Sequence, residues 1–546
     1  MASSDRQSSD PGAGRDGVLE ARITRRRLLQ GAAATGLTFG AGGLLAACGG
    51  DDDGGAAPTG TGGGSDGGPR RGGRLRVAHV GAGKGESFNP ARGSSFIDAS
   101  RYYNVFDPLS RVGPDLEVQP GLALEWNPNE DSTVWELKLR PDVTWHDGKP
   151  FTADDVMYTF GEMADAKHLS HASVTNIDLR SLRKIDDLTL EIPLKSPNAR
   201  LFDSFVQQTT VIVQDGAKDF TNPVGTGAFV FDSFTVGERS LCRRNPDYWD
   251  EGKPYVDEWE DISIDDNAAR LNALLAGEVD MISQIPFAQA KEQQDRGDIQ
   301  VISAESPAIQ VILMAVDIEP FDDARVRQAF RLMADRQALI DSALFGFGSL
   351  GNDLAGKGLP FFAEDLPPRE QDLDEARSLL AAAGRENLTV TLHTSDIVPG
   401  FVEAATLFAE QAKGAGVTIE VKKEPANAYF DTSLLYTKLD FAQSFWTFSS
   451  VPLWYEQAIL SDAVWNETHW RDEETDALIR QAQGAPDEET ATELWHQVQQ
   501  TQYDEGGYIV WANQNLVDGA AQNVEGIVPS SFFNLGGWNY RDVYLT

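Results

Sequence analysis

Cys48 ends the run Leu45-Ala46-Ala47-Cys48, and a thiol preceded by small residues is the arrangement that lipid transfer to a cysteine requires. In such a site the thiol is the nucleophile and the small side chains let a peptidase reach the backbone, so Cys48 is expected to become the first residue of the mature chain. Other combinations are less productive. His146-Asp147 looks like an acid–base pair, yet Asp147-Gly148 is a turn dipeptide and turn chemistry accounts for both residues. The glycine-rich stretch His79-Val80-Gly81-Ala82-Gly83-Lys84-Gly85-Glu86-Ser87 invites a phosphate-binding reading. Its spacing fails, because GxGxxG would need glycine at Glu86 and a Walker loop ending at Lys84 would need glycine at Ala78. Of the seven histidines, only His168 and His171 share a local spacing, and Lys167 and Ser170 beside them point to a surface loop. The chain carries no GxSxG, HExxH or CxxC, so no catalytic residue, metal site or cofactor is expected.

These residues need a scaffold and an address. Arg25-Arg26-Arg27, Leu28-Leu29 and the Gly/Ala-rich apolar stretch up to Cys48 have the charged, apolar and small-residue regions of an export signal. The arginines resemble a twin-arginine signal, and Leu45–Cys48 resembles a lipobox. Residues 1–47 are therefore expected to be a lipoprotein signal peptide and 48–71 a Gly/Ser/Thr-rich linker that holds the rest near the membrane. The expected location is the outer face of the cytoplasmic membrane, at the cell surface or in the periplasm. From Arg74 onward no apolar run is long enough to cross a bilayer.

The 546 residues exceed what one core organises. A formal charge of −38 repels nucleic acid, which is excluded as a partner. Cys48 and Cys242 are the only cysteines, too few for a disulfide framework, and Cys242 reads as a small buried strand residue.

Alternating residues predict strands at Arg74–Val80 and Val134–Leu139, with a second strand starting at Val143–His146. Thr152-Ala153-Asp154-Asp155 supplies the cap and first-turn acids of a helix through Val156, Phe160 and Met163. Further helices are expected at Ala268–Ala276, stopped by Gly277, at Arg325–Leu344, at Phe401–Lys413 and at Asp374–Ala383, stopped by Gly384. Short strands at Val279–Ile282, Leu388–His393 and Val417–Val421 alternate with them, which makes the fold α/β, built from βαβ units with no internal repeat.

Three long stretches then carry a resemblance. They are Pro120–Trp126 with Leu139–Val156, Asn222–Phe229 with Arg244–Trp249, and Pro320–Phe330 with Asp335-Arg336. In this order they resemble the extracellular solute-binding proteins of family five, the peptide/nickel-type substrate-binding lipoproteins of ABC transporters. The resemblance runs from about Gly72 to the end. It implies a two-lobed periplasmic-binding-protein-like fold with an extra subdomain in the N-terminal lobe. By analogy, residues 72–103, 224–308 and 514–546 form lobe I, 104–223 the extra subdomain and 309–513 lobe II. The implied role is capture of a small solute, oligopeptide-like, sugar or chelate, between the lobes for delivery to ABC permease subunits and their ATPases. The implied state is a monomer without enzymatic activity. An exported hydrolase using paired carboxylates and a ligand-sensing lipoprotein are the alternatives.

Peptide-binding members are similar in placing an acid about three residues after a second-lobe tryptophan, where it meets the ligand amine. Here Trp446 is followed by Thr447-Phe448-Ser449, so serine stands where that acid would be. A closed cleft penalises an unpaired ammonium, so another acid must substitute if a peptide is held by its N-terminus. Trp446, Phe448, Trp454 and Tyr455 are expected to build an aromatic side of the cleft with Ser449 among them. Tyr508 and Trp511 near the second crossing, and Phe88 and Asn89 after the first strand, are further candidates.

Overall fold

A computed structural model describes residues 68–546 except 82, 94, 114, 115, 117, 196, 197, 199, 200, 426–428, 431–433, 448, 449, 464, 484, 486 and 487. The expected signal peptide, Cys48, Phe448 and Ser449 lie outside the described residues, as does the expected linker up to residue 67.

Along the chain, strand β1 (Arg74–His79) comes first, followed by a hairpin of β2 (Ser110–Val112) and β3 (Val118–Pro120). Next come β4 (Ala123–Pro128), β5 (Val134–Leu139), β6 (Arg183–Asp186) and β7 (Thr189–Pro193), which form a four-stranded antiparallel sheet in the order β4-β5-β7-β6. The alternation in β5 puts Trp135, Leu137 and Leu139 inside and Glu136 and Lys138 outside. Each buried leucine contributes about 1.5–3 kcal/mol to this small core. Thr152 and Asp155 close a capping box on the helix Ala153–Met163, whose Val156, Phe160 and Met163 face the same core.

The chain then returns to β1. With β8 (Phe229–Thr235), β9 (Arg239–Arg244), β10 (Glu258–Ser263), β11 (Met281–Ile282) and β12 (Gln300–Ala304), it builds a seven-stranded sheet, β12-β19-β11-β1-β10-β9-β8, completed by β19 (Leu516–Ala520). Cys242 sits fully buried in β9, where burial pushes its thiol well above the ordinary range. A second, six-stranded sheet takes β13 (Ile309–Met314), β14 (Gly348–Leu350), β15 (Thr389–Thr394), β16 (Thr418–Lys423), β17 (Phe441–Trp446) and β18 (Tyr508–Gln514), in the order β14-β18-β13-β17-β15-β16. The fold is α/β with two lobes, and the four-stranded unit is an extra subdomain inserted into the first.

Two expectations fail locally. Val143–His146 is not a strand: Gly148 N–H donates to Trp145 O and only an isolated bridge, Thr144 with Pro150, forms there. The single helix expected over Arg325–Leu344 is two, Ala324–Met333 and Arg336–Ala343. Asp335 breaks it by capping the second helix, its carboxylate accepting Ala338 N–H at 3.0 Å.

Candidate functional site

Among the described residues, two short segments join the large sheets: 305–308, between β12 and β13, and residue 515, between β18 and β19. They are cross-tied. Gln514 N–H donates to Ala308 O at 2.7 Å, Ser306 Oγ to Gln514 O at 2.7 Å, and Asn515 Nδ2 to Ser303 Oγ at 2.9 Å. One apolar cluster continues across this junction, with Ala78, Leu274 and Phe287 from the first lobe and Ile312, Phe347 and Trp511 from the second. The Phe287 and Phe347 rings stack at 6.1 Å.

Strand direction decides what faces this hinge. In the first sheet β1, β10, β11 and β12 run parallel, so their carboxyl ends share the edge from which β12 departs. In the second, β15, β16, β17 and β18 all end on the edge where β13 begins, Trp446 pairing with Ile309 and Ile309 with Asn513. Carboxyl ends of strands are where open α/β sheets hold ligands, and here two such edges meet at one hinge. The β2–β3 hairpin adds Leu116, which leans on the core of the second lobe.

At the end of β17 lies the least conventional group in the region. Trp446, 8 % exposed, donates its indole Nε1–H to Glu467 Oε1 at 2.8 Å. Ser444 Oγ, on the same face of the strand, donates to Glu467 Oε2 at 2.9 Å, and Tyr508 adds a further hydrogen bond. Glu467 is fully buried, and no lysine, arginine or histidine among the described residues pairs with it. Burial pushes its carboxyl up to about 7, against the pull of the three donors. Asn466 sets the loop by bonding Leu460 O and Trp470 O at 3.3 and 2.6 Å. Trp465, 38 % exposed, meets Trp446 edge-on at 6.1 Å and donates its backbone N–H to Gln457 O.

The other candidate residues divide. Trp454, Tyr455 and Tyr508 do not line an open surface: they are 1 %, 0 % and 2 % exposed and pack on one another and on Trp495 in the second-lobe core. Trp511 is fully enclosed in the cluster behind the hinge. Phe88, 1 % exposed, is wedged between Phe231 and Phe234, both at 5.3 Å, with the Arg101 guanidinium over its ring. Asn89 lines a groove of about 430 Å³ between the first lobe and the subdomain, together with Arg92, Glu162, His168 and Lys218. The glycine-rich loop is explained by packing, since a methyl on Gly81 would sit 1.7 Å from Ser263 Oγ.

Sequence reasoning missed Glu467 and Trp465. Glu467 stands 21 residues from Trp446, and no period or motif links them; only the fold does. His146 is held between Gly227 O at 3.0 Å and Gly225 N–H at 3.2 Å, while Asp147 turns to Lys149 and Gln214. The adjacent pair therefore forms no dyad. His168 and His171 are spent on Ser170 N–H and Met163 O, and no group of three metal-ligating side chains occurs among the described residues. No helix among the described residues is long and apolar enough to cross a membrane.

Two α/β lobes joined at two crossings, with opposed carboxyl strand edges, define the architecture of a two-lobed binding protein. Residues 117–464 match the bacterial extracellular solute-binding proteins, family 5, and the chain belongs to that family as a solute-binding component of an ABC importer. It is 25 % identical over 481 residues to the periplasmic oligopeptide-binding protein OppA of Escherichia coli K12, covering 79 % of this chain and 86 % of that one. It is 24 % identical over 485 residues to the dipeptide-binding protein DppE of Bacillus subtilis 168, covering 81 % and 87 %. Among solved structures, the substrate-binding protein CtaP of Listeria monocytogenes superposes with a TM-score of 0.77 at 21 % identity, covering 87 % of this chain and all of that one. The open, unliganded murein tripeptide-binding protein MppA gives 0.74 at 21 % identity, covering 86 % and 97 %. The relatives named are binding proteins.

Proposed function

We propose that this chain is an exported lipoprotein that binds a short peptide-like solute between its two lobes, without catalysis, and passes it to a membrane permease. The observation that carries the reading is the pair of carboxyl strand edges facing one hinge of two crossings, with Trp446 and Trp465 at the end of β17. Lobe I takes residues 72–103, 224–308 and 514–546, the extra subdomain 104–223 and lobe II 309–513. Hinge closure follows from the differential affinity of the closed state for solute. The relatives named for oligopeptides and dipeptides support the peptide class over sugars and chelates. The protein acts as a monomer, held at the outer face of the membrane through Cys48 after removal of the twin-arginine signal.

A thermal-shift screen against short peptides, oligosaccharides, polyamines and metal chelates tests the ligand class, because a solute that binds only the folded state raises Tm. Short peptides are expected to give the largest rise; a rise with sugars or chelates alone would refute the class. Cys48→Ser is expected to move the protein from the membrane to the soluble fraction, and unchanged fractionation would refute the anchor.

A further inference from the structure

We infer that the stacked rings of Phe287 and Phe347 are a back-stop of the hinge, which favours the open arrangement of the lobes and so sets the affinity for solute from outside the cleft. The inference rests on the proposed closure and deepens it. The two sheets share a core on one face only. Ile509 and Trp511 of β18 enter the cluster that also takes Ala78 and Ile282 from the first lobe. On the opposite face Tyr508 and Val510 fill a second-lobe core, while Val77 and Met281 fill a separate first-lobe one. Sheet order then places the stack relative to the crossings. In β14-β18-β13-β17 the strands that carry the crossings, β18 and β13, stand in the middle. Trp446 ends β17 on one side, opposite Ile309; Phe347 leads into β14 on the other, where Gly348 pairs with Gln514. Both rings are therefore level with the crossings and flank them. Asn515 N–H donates to Phe347 O at 3.1 Å, and Phe345 and Gly346, with φ of 53° and 84°, turn the chain from the helix Arg336–Ala343 into β14, so Phe347 moves with the second lobe. Phe287 moves with the first: it opens the helix Phe287–Arg296, which lies on β12 and β19. A rotation about the crossings that carries Trp446 toward the first lobe carries Phe347 away from Phe287. Both rings are buried, and their 6.1 Å stack gives way to water-exposed apolar surface as it parts. The contact thus favours one arrangement of the lobes over the other, and solute has to overcome that difference when it binds.

The test combines calorimetric titration of the full chain with trialanine and small-angle scattering of the unliganded chain. Phe347→Ala is expected to bind trialanine about threefold to tenfold more tightly than wild type, although the residue lies behind the hinge. Its unliganded radius of gyration is expected to fall from the wild-type value toward that of the solute-bound protein. Phe287→Ala should do the same, and the double variant should add little to either single change, because each removes the same contact. Phe345→Ala, beside the stack and exposed, should leave both readings at wild type. Should Phe347→Ala fail to fold, Phe347→Leu decides: it keeps an apolar side chain in the shared core, loses the stacked ring and is expected to gain about twofold in affinity. Unchanged or weaker trialanine binding by the folded variants, or unliganded scattering like that of wild type, would overturn the inference; closure would stand if wild type still contracts on binding. Should wild type not bind trialanine, the peptide reading is contradicted and the unliganded scattering decides the inference by itself.

Discussion

The second lobe buries two acids in opposite ways. Asp353, fully buried, sits among three arginines: Arg336 at 2.6 Å, Arg369 at 2.6 Å and Arg331 at 3.9 Å. Arg331 also donates to Gln502 O, Tyr503 O and Tyr508 O, tying the end of the helix Glu488–Glu505 to β18. That site is closed: its charge is more than matched, and its donors end on backbone carbonyls. Glu467 is buried as deeply and has only neutral donors. An acid ringed by arginine keeps its charge and ties elements together, whereas an acid ringed by neutral donors is driven by burial toward its protonated form. The first lobe repeats the closed pattern, with Arg101 gripping Glu86 at 2.9 Å and Asp98 at 3.4 Å and pinning the loop that carries Phe88.

The sharpest break in this comparison is Asp353→Ala. Removing the acid strands buried guanidinium groups, and a loss of about 3–5 kcal/mol in denaturant unfolding is expected; a loss below about 1 kcal/mol would show that the backbone carbonyls alone satisfy the arginines. Glu467→Gln should go the other way. The Glu467 carboxyl titrates near 7 in the folded protein, against an ordinary value of 4.5. A raised acid contributes stability that is full below the unfolded value and is lost as pH climbs through the folded one. The variant is therefore expected to match wild type at about pH 4.5 and to exceed it by about 3 kcal/mol at about pH 8. A pH-independent difference would mean that Glu467 keeps an ordinary carboxyl. Trp446→Phe withdraws one of the donors to Glu467, with an expected cost of about 1–2 kcal/mol at pH 8 that is smaller at pH 5. Trp465→Ala touches an exposed ring, so stability should change by less than about 0.5–1 kcal/mol while trialanine affinity falls about threefold to tenfold. Unchanged affinity would remove Trp465 from the cleft.

Much of the scaffold was readable before the fold was known, because its signals are local. Val134–Leu139 alternates and is a strand over those residues; Thr152 and Asp155 cap the helix Ala153–Met163; Gly277, with φ 71°, follows the helix Asn267–Leu275. Local chemistry also explains His146-Asp147 as a turn. The helix break at Asp335 was missed because the apolar period of Arg325–Leu344 runs through it, although an aspartate able to cap stands in plain view. At the site, residue type was a poorer guide. Trp446 lies at a strand end facing the hinge, but Trp454, Tyr455, Tyr508 and Trp511 look equally suited to a cleft and fill cores. Nothing in an aromatic side chain distinguishes the two fates; the pleat of β17 and β18 and the helices laid over them do. Glu467 reaches Trp446 only through the tertiary path from β17 round to the Asn466 loop, so no window of sequence shows the pair together.

The two lobes are proposed to close on a solute at the hinge-side strand ends. Small-angle scattering of the full chain, with and without a saturating concentration of the solute that raises Tm most, tests it directly. A fall in the radius of gyration on binding, with Trp446→Phe needing more solute for the same fall, is the predicted result. An unchanged scattering curve at saturation would contradict closure and, with it, the account of the hinge.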